Sequence, residues 1–294
     1  MLHNFLTSVG RAMRASPRAP PGLVAALLIC AWPGAGHAAE RPRVVSIHTC
    51  TDQLVLALAD PAQIVGLGPY ARDPQRSWAA ETASRYPRLS GEAEDVLILK
   101  PDLVVAGTFT KRATRDLLTQ KGLRVAAFEV ARSLDDAKQQ MRRMGELLGH
   151  PDRAAAENAR LDAAIARTRA AASRVSYRVL ALSRRGWVSG DDSLMGSLLA
   201  ASGLTSAAGQ FGRPAGGFVT LEQIVAEKPD LLLMSSDSGF AEDQGSAFLL
   251  HPAIAALYPP NKRLVLPEQL SVCGGPMLPE ALDRLTAEIN RVSR

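Results

Sequence analysis

His48, Cys50 and Cys273 are the residues of this 294-residue chain whose types could do chemistry most directly. His48-x-Cys50 together with Cys273 offers an imidazole and two thiolates, a donor set for a soft or borderline metal. In an oxidising compartment the same two cysteines invite a disulfide. A third reading makes Cys50 a nucleophile with His48, two positions away, as its base. That chemistry also needs an orienting group and an oxyanion site, and the sequence names neither. Spacing alone leaves the three readings open. Gly66-x-Gly68 lacks the third glycine of a dinucleotide fingerprint, and no GxxxxGK[ST] phosphate cradle occurs.

The compartment follows from the first 39 residues. Arg11, Arg14 and Arg18 precede the apolar run Leu23–Trp32, and small residues follow at Gly34-Ala35-Gly36-His37-Ala38-Ala39. Charged, apolar, then cleavable is the order of a secretory signal peptide. The run is about half the roughly twenty residues that a membrane span requires. Gly36-x-Ala38 places small side chains where a signal peptidase needs them, so cleavage is expected after Ala38 or Ala39. Cys30 follows Ile29, which does not suit a lipid-bearing cysteine. The expectation is a periplasmic protein with Cys50 and Cys273 as its only mature cysteines and no direct membrane insertion.

Composition excludes other classes. With 47% hydrophobic and 21% charged residues the chain is an ordinary globular sequence. The net charge of +5 belongs mostly to the leader: beyond residue 38 there are 31 basic and 29 acidic residues. No basic stripe interleaves with aromatics, so nucleic acid is not an expected partner.

The cysteine loops must be positioned by a scaffold, and the chain carries that scaffold twice. Residues 94–105 read EDVLILKPDLVV and residues 222–233 read EQIVAEKPDLLL. Each predicts a short helix ending at Lys, a Pro-Asp turn and a buried strand. Ahead of each block, Val45-Ser46 through Ala59 and Val188-Ser189-Gly190 through Gly203 both read as strand, polar loop and helix. Between the copies, Ser133-Leu134-Asp135-Asp136 forms a capping box for a helix to about Leu148, which Gly149 stops. An Ala-rich helix of some twenty-two residues then starts at Pro151, roughly 33 Å of rigid rod. Strands are expected at Val44–Ile47, Ile64–Leu67, Leu103–Ala106 and Val125–Phe128, then at Val179–Leu182, Leu231–Met234 and Leu264–Leu266. The fold class is therefore α/β: two Rossmann-like lobes with parallel sheets, joined by a long helix, with a ligand cleft between them. The expected division is 1–39 signal peptide, 40–150 N-terminal lobe, 151–174 connecting helix and 175–294 C-terminal lobe.

The strand-end loops mix aromatics, arginines and small residues: His48–Asp52, Gly68–Arg72, Gly107–Phe109, Arg184–Trp187, Ser235–Phe240 and Ser271–Gly275. Such an inventory suits a large, partly apolar and partly anionic ligand. The paired KPDL blocks, the VSxxxCTDQL opening, the VSGxxSL second-lobe opening and the joining helix resemble one family over residues 44–290. It is the helical-backbone substrate-binding proteins of ABC importers for vitamin B12, ferric siderophores and haem. The resemblance implies capture of a metal chelate, with corrinoids and ferric siderophores ahead of haem, and delivery to an ABC permease by a monomer that needs no cofactor. In that family an acidic residue on each lobe docks into arginines of the permease, and those positions match Glu94 and Glu222. It also brings the loops of Cys50 and Cys273 to opposite sides of the cleft, where the family does not generally require cysteines. Ligand contact is expected from Thr49, Cys50, Tyr70, Arg72, Phe109, Arg184, Trp187, Cys273 and Gly274. Trp187 matches a family position facing the ligand, and Tyr70 could bind haem iron or line an aromatic pocket. Arg72, Arg184 and Arg185 could pair with an anionic chelate. His150 and His251, each before a helix-starting proline, are read as structural. The alternatives are the exported Cys50/His48 enzyme and a ligand sensor that works without a transporter.

Overall fold

The computed structural model describes residues 41–172, 176–235 and 247–294. The leader read at 1–39, residues 173–174 of the joining segment and residues 236–240 of the expected cleft loop lie outside them. The first lobe runs β1 (Val44–Ser46), α1 (Thr49–Leu58), β2 (Ile64–Gly66), α2 (Ala80–Ala83), α3 (Ala93–Leu99), β3 (Leu103–Gly107), α4 (Arg112–Gln120) and β4 (Arg124–Phe128). Next come α5 (Leu134–Leu148) and α6 (Pro151–Ala172). The second lobe runs β5 (Arg178–Ala181), β6 (Trp187–Val188), α7 (Leu194–Ala201), β7 (Thr205–Ser206), β8 (Gly217–Phe218), α8 (Leu221–Glu227), β9 (Leu231–Met234), α9 (Pro252–Leu257), β10 (Arg263–Val265) and α10 (Leu278–Val292).

The duplication is visible in the strand order. One parallel sheet is ordered β2-β1-β3-β4 and the other β7-β5-β9-β10, the same path through equivalent strands. Registers repeat as well: Val44 pairs with Leu103 in one lobe and Val179 with Leu231 in the other. Both faces of the central strands β1, β3, β5 and β9 are buried, so they read as continuous apolar runs. Val44, Leu103 and Val105 face the central core, while Val45, Val104 and Ala106 pack on the outer helices. Val179, Leu231 and Leu233 face the same central core from the second lobe.

A shared clasp explains why Lys-Pro-Asp recurs. Lys100 and Lys228 end α3 and α8 in the left-handed region, each at φ 45°. The Asp102 carboxylate accepts from the Arg43 N–H at 2.8 Å, and the Arg43 guanidinium donates to the Lys100 carbonyl at 2.9 Å. In the second lobe the Asp230 carboxylate accepts from the Arg178 N–H at 2.8 Å, and Arg178 donates to the Lys228 carbonyl at 2.8 Å. Each Asp thus fixes the start of the adjacent strand, and each Arg satisfies a helix-end carbonyl.

One pairing inferred from the sequence needs correction. The helices after Val45-Ser46 and Val188-Ser189 are equivalent, but the strands are not. The counterpart of β1 is β5, whereas Val188 lies in β6, which pairs antiparallel with β8 in a separate two-stranded ribbon. Strands of two residues are too short to leave a periodic signal.

The lobes are held by more than the linker. The predicted capping box of α5 forms, with Asp136 N–H donating to Ser133 Oγ at 3.0 Å, and Gly149 ends the helix at φ 77°. The helix α6 buries Ala154, Leu161, Ala164 and Ile165. It also meets α10 through an Arg167–Asp283 ion pair at 3.0 Å. The start of α10 is tied to the first lobe, where Trp78 Nε1–H donates to Glu280 at 2.7 Å. Its far end belongs to the second lobe: buried Glu288 accepts from the Val265 N–H at 3.1 Å. His150 and His251 are structural: His150 is buried against Gln63 at 2.7 Å, and His251 caps α9.

Candidate functional site

In a parallel sheet all strands end on one edge, and that edge carries the site. His48 is the N-cap of α1, directly beyond β1, and its Nδ1 accepts the Cys50 N–H at 3.2 Å. Cys50 is joined to Cys273 by a disulfide, with Cα atoms 5.2 Å apart, inside the usual range for such a bridge. The segment around Cys273 lies on the first lobe, because small residues let it approach: a Cβ on Gly274 would stand 2.4 Å from the Ala131 Cβ and 3.1 Å from that of Ala137. Both cysteines therefore belong to one wall of the cleft and do not bridge its two sides.

Against this wall lies a cavity of about 190 Å³. Its apolar lining is Phe109, Phe128, Val130, Val272, Ala131 and the disulfide; its polar lining includes His48, Thr51, Thr108, Glu129 and Gln140. Phe109 is 84% exposed, and Val130 and Val272 are exposed beside it. Single exposed apolar side chains are common, but a group of them along one edge marks a binding surface. Gly107 makes room for the imidazole: a Cβ there would come within 2.7 Å of the His48 ring.

Two of the readings opened by the cysteines are corrected here. The disulfide leaves no thiolate for a metal at His48, Cys50 and Cys273. No group of three metal-binding side chains occurs among the described residues. Nδ1 of His48 is committed to the helix cap, and burial lowers the imidazole's pKa. The neutral ring then carries its proton on Nε2, a donor that cannot ligate a metal. Cys50 has no thiol with which to act as a nucleophile.

The other expected residues divide. Cys50, Phe109, Cys273 and Gly274 line the cavity, and Thr49 begins α1 without lining it. Tyr70 stands beyond β2 on the same edge, 49% exposed, with the Arg76 guanidinium stacked on its ring at 4.5 Å. Arg72 is turned to the Tyr86 carbonyl. Arg184 opens the tight turn ahead of β6. Trp187 is exposed on the β6–β8 ribbon, edge-on to Phe218 at 5.0 Å. Val272 lies in the expected Ser271–Gly275 loop, whereas Phe218, Phe128, Val130 and Gln140 are not singled out from the sequence. Phe128 and Val130 close a predicted strand and could have been found by extending the strand-end rule; Phe218 left no signal.

Beneath the edge lies Asp52, with no exposed surface. Its Oδ1 accepts the Gly68 N–H at 3.0 Å, and its Oδ2 has no partner. Burial pushes its pKa up to about 7, against the opposing pull of the nearby Ser46 hydroxyl and the Gly68 N–H. Away from the cleft, Glu94 and Glu222 occupy the second position of α3 and α8, both exposed. The helix-start amide and the Thr220 hydroxyl hold the Glu222 carboxyl below its usual range.

Comparison with solved structures gives the same two-lobed fold. The periplasmic haem-binding protein RhuT from Roseiflexus sp. RS-1, in apo form, is 26% identical with a TM-score of 0.70, covering 86% of this chain and 100% of that one. A periplasmic haem-binding protein from Pseudomonas aeruginosa is 24% identical, TM-score 0.67, covering 84% and 92%. The periplasmic vitamin B12-binding protein BtuF of Vibrio cholerae is 15% identical, TM-score 0.64, covering 86% and 99%. Comparison with curated proteins gives no match. The family model described as periplasmic binding protein matches residues 44–259, through both lobes. The chain belongs to the periplasmic binding protein family.

Proposed function

We propose that this protein captures a metal tetrapyrrole in the periplasm and delivers it to an ABC permease. The observation that carries the reading is the row of apolar and aromatic side chains along the strand-end edges: Tyr70, Phe109 and Val130 on one lobe, Trp187 and Phe218 on the other. Tyr70 and Phe109 follow β2 and β3, two strand spacings or about 10 Å apart. A flat macrocycle spans that width and presents the π-face that such side chains pack against. The Roseiflexus protein, 26% identical, is a haem-binding protein, which supports a tetrapyrrole as the cargo. Family membership also argues against the exported thiol enzyme. Tyr70 is the candidate axial ligand should the cargo be ferric haem, because its hydroxyl makes no hydrogen bond among the described residues and tyrosine oxygen is a known haem-iron ligand. Glu94 and Glu222 are the proposed permease contacts. Ile98, one turn after Glu94 on the same helix face, is 77% exposed and would add an apolar centre to that contact.

Titration of the mature protein with haem, cyanocobalamin and a ferric hydroxamate, followed by absorption and tryptophan quenching, tests this. Saturable one-to-one binding of a tetrapyrrole is the expected result. Binding of the hydroxamate alone, or of none of the three, would reject it.

A further inference from the structure

We propose that His48 and Thr108 form a subsite for an uncharged carbonyl oxygen on a side arm of the bound chelate, so that the cavity beside the disulfide selects carboxamide arms over carboxylate arms. The proposal rests on the tetrapyrrole reading above and adds which arm chemistry is taken. The cavity, at about 190 Å³, is below the size that holds a whole ligand, so it accommodates a substituent while the macrocycle lies outside it.

The donor is fixed by local structure. Because His48 Nδ1 accepts the Cys50 N–H, the neutral ring places its proton on Nε2, and Nε2 has no hydrogen-bond partner among the described residues. The Thr108 hydroxyl, one residue after the Gly107 against which the His48 ring packs, is buried without a partner. A buried polar group left unpaired is costly, and a ligand atom that pairs with it recovers that cost. Two unpaired polar groups in an enclosure lined mainly by apolar side chains therefore define where an acceptor oxygen sits.

The charge of that acceptor follows from the rest of the lining. Among the described residues it holds no Lys or Arg, and it includes Glu129. The Gln140 amide fixes the backbone at Glu129, donating to its carbonyl at 2.7 Å. Arg143 stands at the edge of the lining, stacked on the Phe128 ring at 4.6 Å and already donating to the Ala127 carbonyl. An entering carboxylate would be desolvated beside Glu129 with no Lys or Arg in the lining to pair with it, which disfavours it. A carboxamide carbonyl accepts the same hydrogen bonds without that penalty.

The test compares haem with its diamide, which keeps the same metal and macrocycle, and adds cyanocobalamin, whose arms are carboxamides. The wild type is expected to bind the diamide about tenfold or more tightly than haem. Glu129→Gln should narrow that gap. His48→Ser retains a side-chain cap for α1 but removes the donor. It and Thr108→Val should each weaken diamide binding about fivefold to tenfold, with an unchanged melting temperature for Thr108→Val. Equal binding of haem and its diamide, tighter binding of haem, or unaltered affinity in both variants would overturn the subsite while leaving the tetrapyrrole reading in place. Failure of the wild type to bind any of the three would overturn both.

Discussion

Cys50 and Cys273, separated by 223 positions in sequence, are joined by a disulfide on the wall of the cleft. Closing so long a loop removes on the order of 5 kcal/mol of unfolded-state entropy in the chain-entropy model. Replacing both cysteines by serine should cost a few kcal/mol and lower the melting temperature by roughly 10 °C. Thermal denaturation with and without reductant checks this, together with thiol counting on the native protein. An unchanged transition, or two freely reactive thiols before reduction, would contradict it.

Asp52 gives a pH dependence. Its folded-state pKa is raised from 3.8 to about 7, so between those values the folded protein keeps a proton that the unfolded chain has lost. Its contribution to stability is therefore full below about pH 4 and is lost as pH rises toward 7. His48 and His150, whose pKa values burial lowers, act in the opposite sense. The difference between wild type and Asp52→Asn isolates the carboxyl. Urea unfolding should show the wild type losing stability relative to the variant from pH 5 to pH 8, by at most a few kcal/mol. A pH-independent difference would refute the assignment.

The clasp makes a paired prediction. Asp102→Ala and Asp230→Ala each remove a charge-assisted bond to the N–H that starts the neighbouring strand. Each should destabilise by about 1–2 kcal/mol, Asp230→Ala by the larger amount, because Asp230 also pairs with the Arg178 guanidinium at 3.1 Å. Chemical denaturation of the two single variants decides it; a large effect in one lobe and none in the other would count against equivalence.

Docking is separable from binding. Glu94→Lys with Glu222→Lys should abolish chelate uptake by cells while leaving the affinity of the purified protein unchanged, since both side chains lie on helices outside the cavity lining. Loss of chelate affinity in the double variant would show that the glutamates serve the cleft.

Much of the scaffold was legible because it depends on local rules. The strand cores are continuous apolar runs, Ser133 and Asp136 spell a capping box, Gly149 permits a left-handed stop, and the two Lys-Pro-Asp-Leu blocks repeat. What was missed depends on contacts between distant residues. Arg43 and Arg178 look like ordinary charges until Asp102 and Asp230 are folded beside them. The β6–β8 ribbon joins pairs of residues with no period to read. Nor could spacing say that His48 caps α1, and that single hydrogen bond decides which ring nitrogen carries the proton. The disulfide was one of several open readings because nothing local brings Cys273 to Cys50; the small residues Gly274, Ala131 and Ala137 do so in the fold.

The most direct test is the absorption spectrum and native mass of the protein purified from its own periplasm. A tetrapyrrole absorption band, with added mass equal to one metal tetrapyrrole per chain, is the predicted result. Protein that carries an iron chelate without a macrocycle would contradict the account.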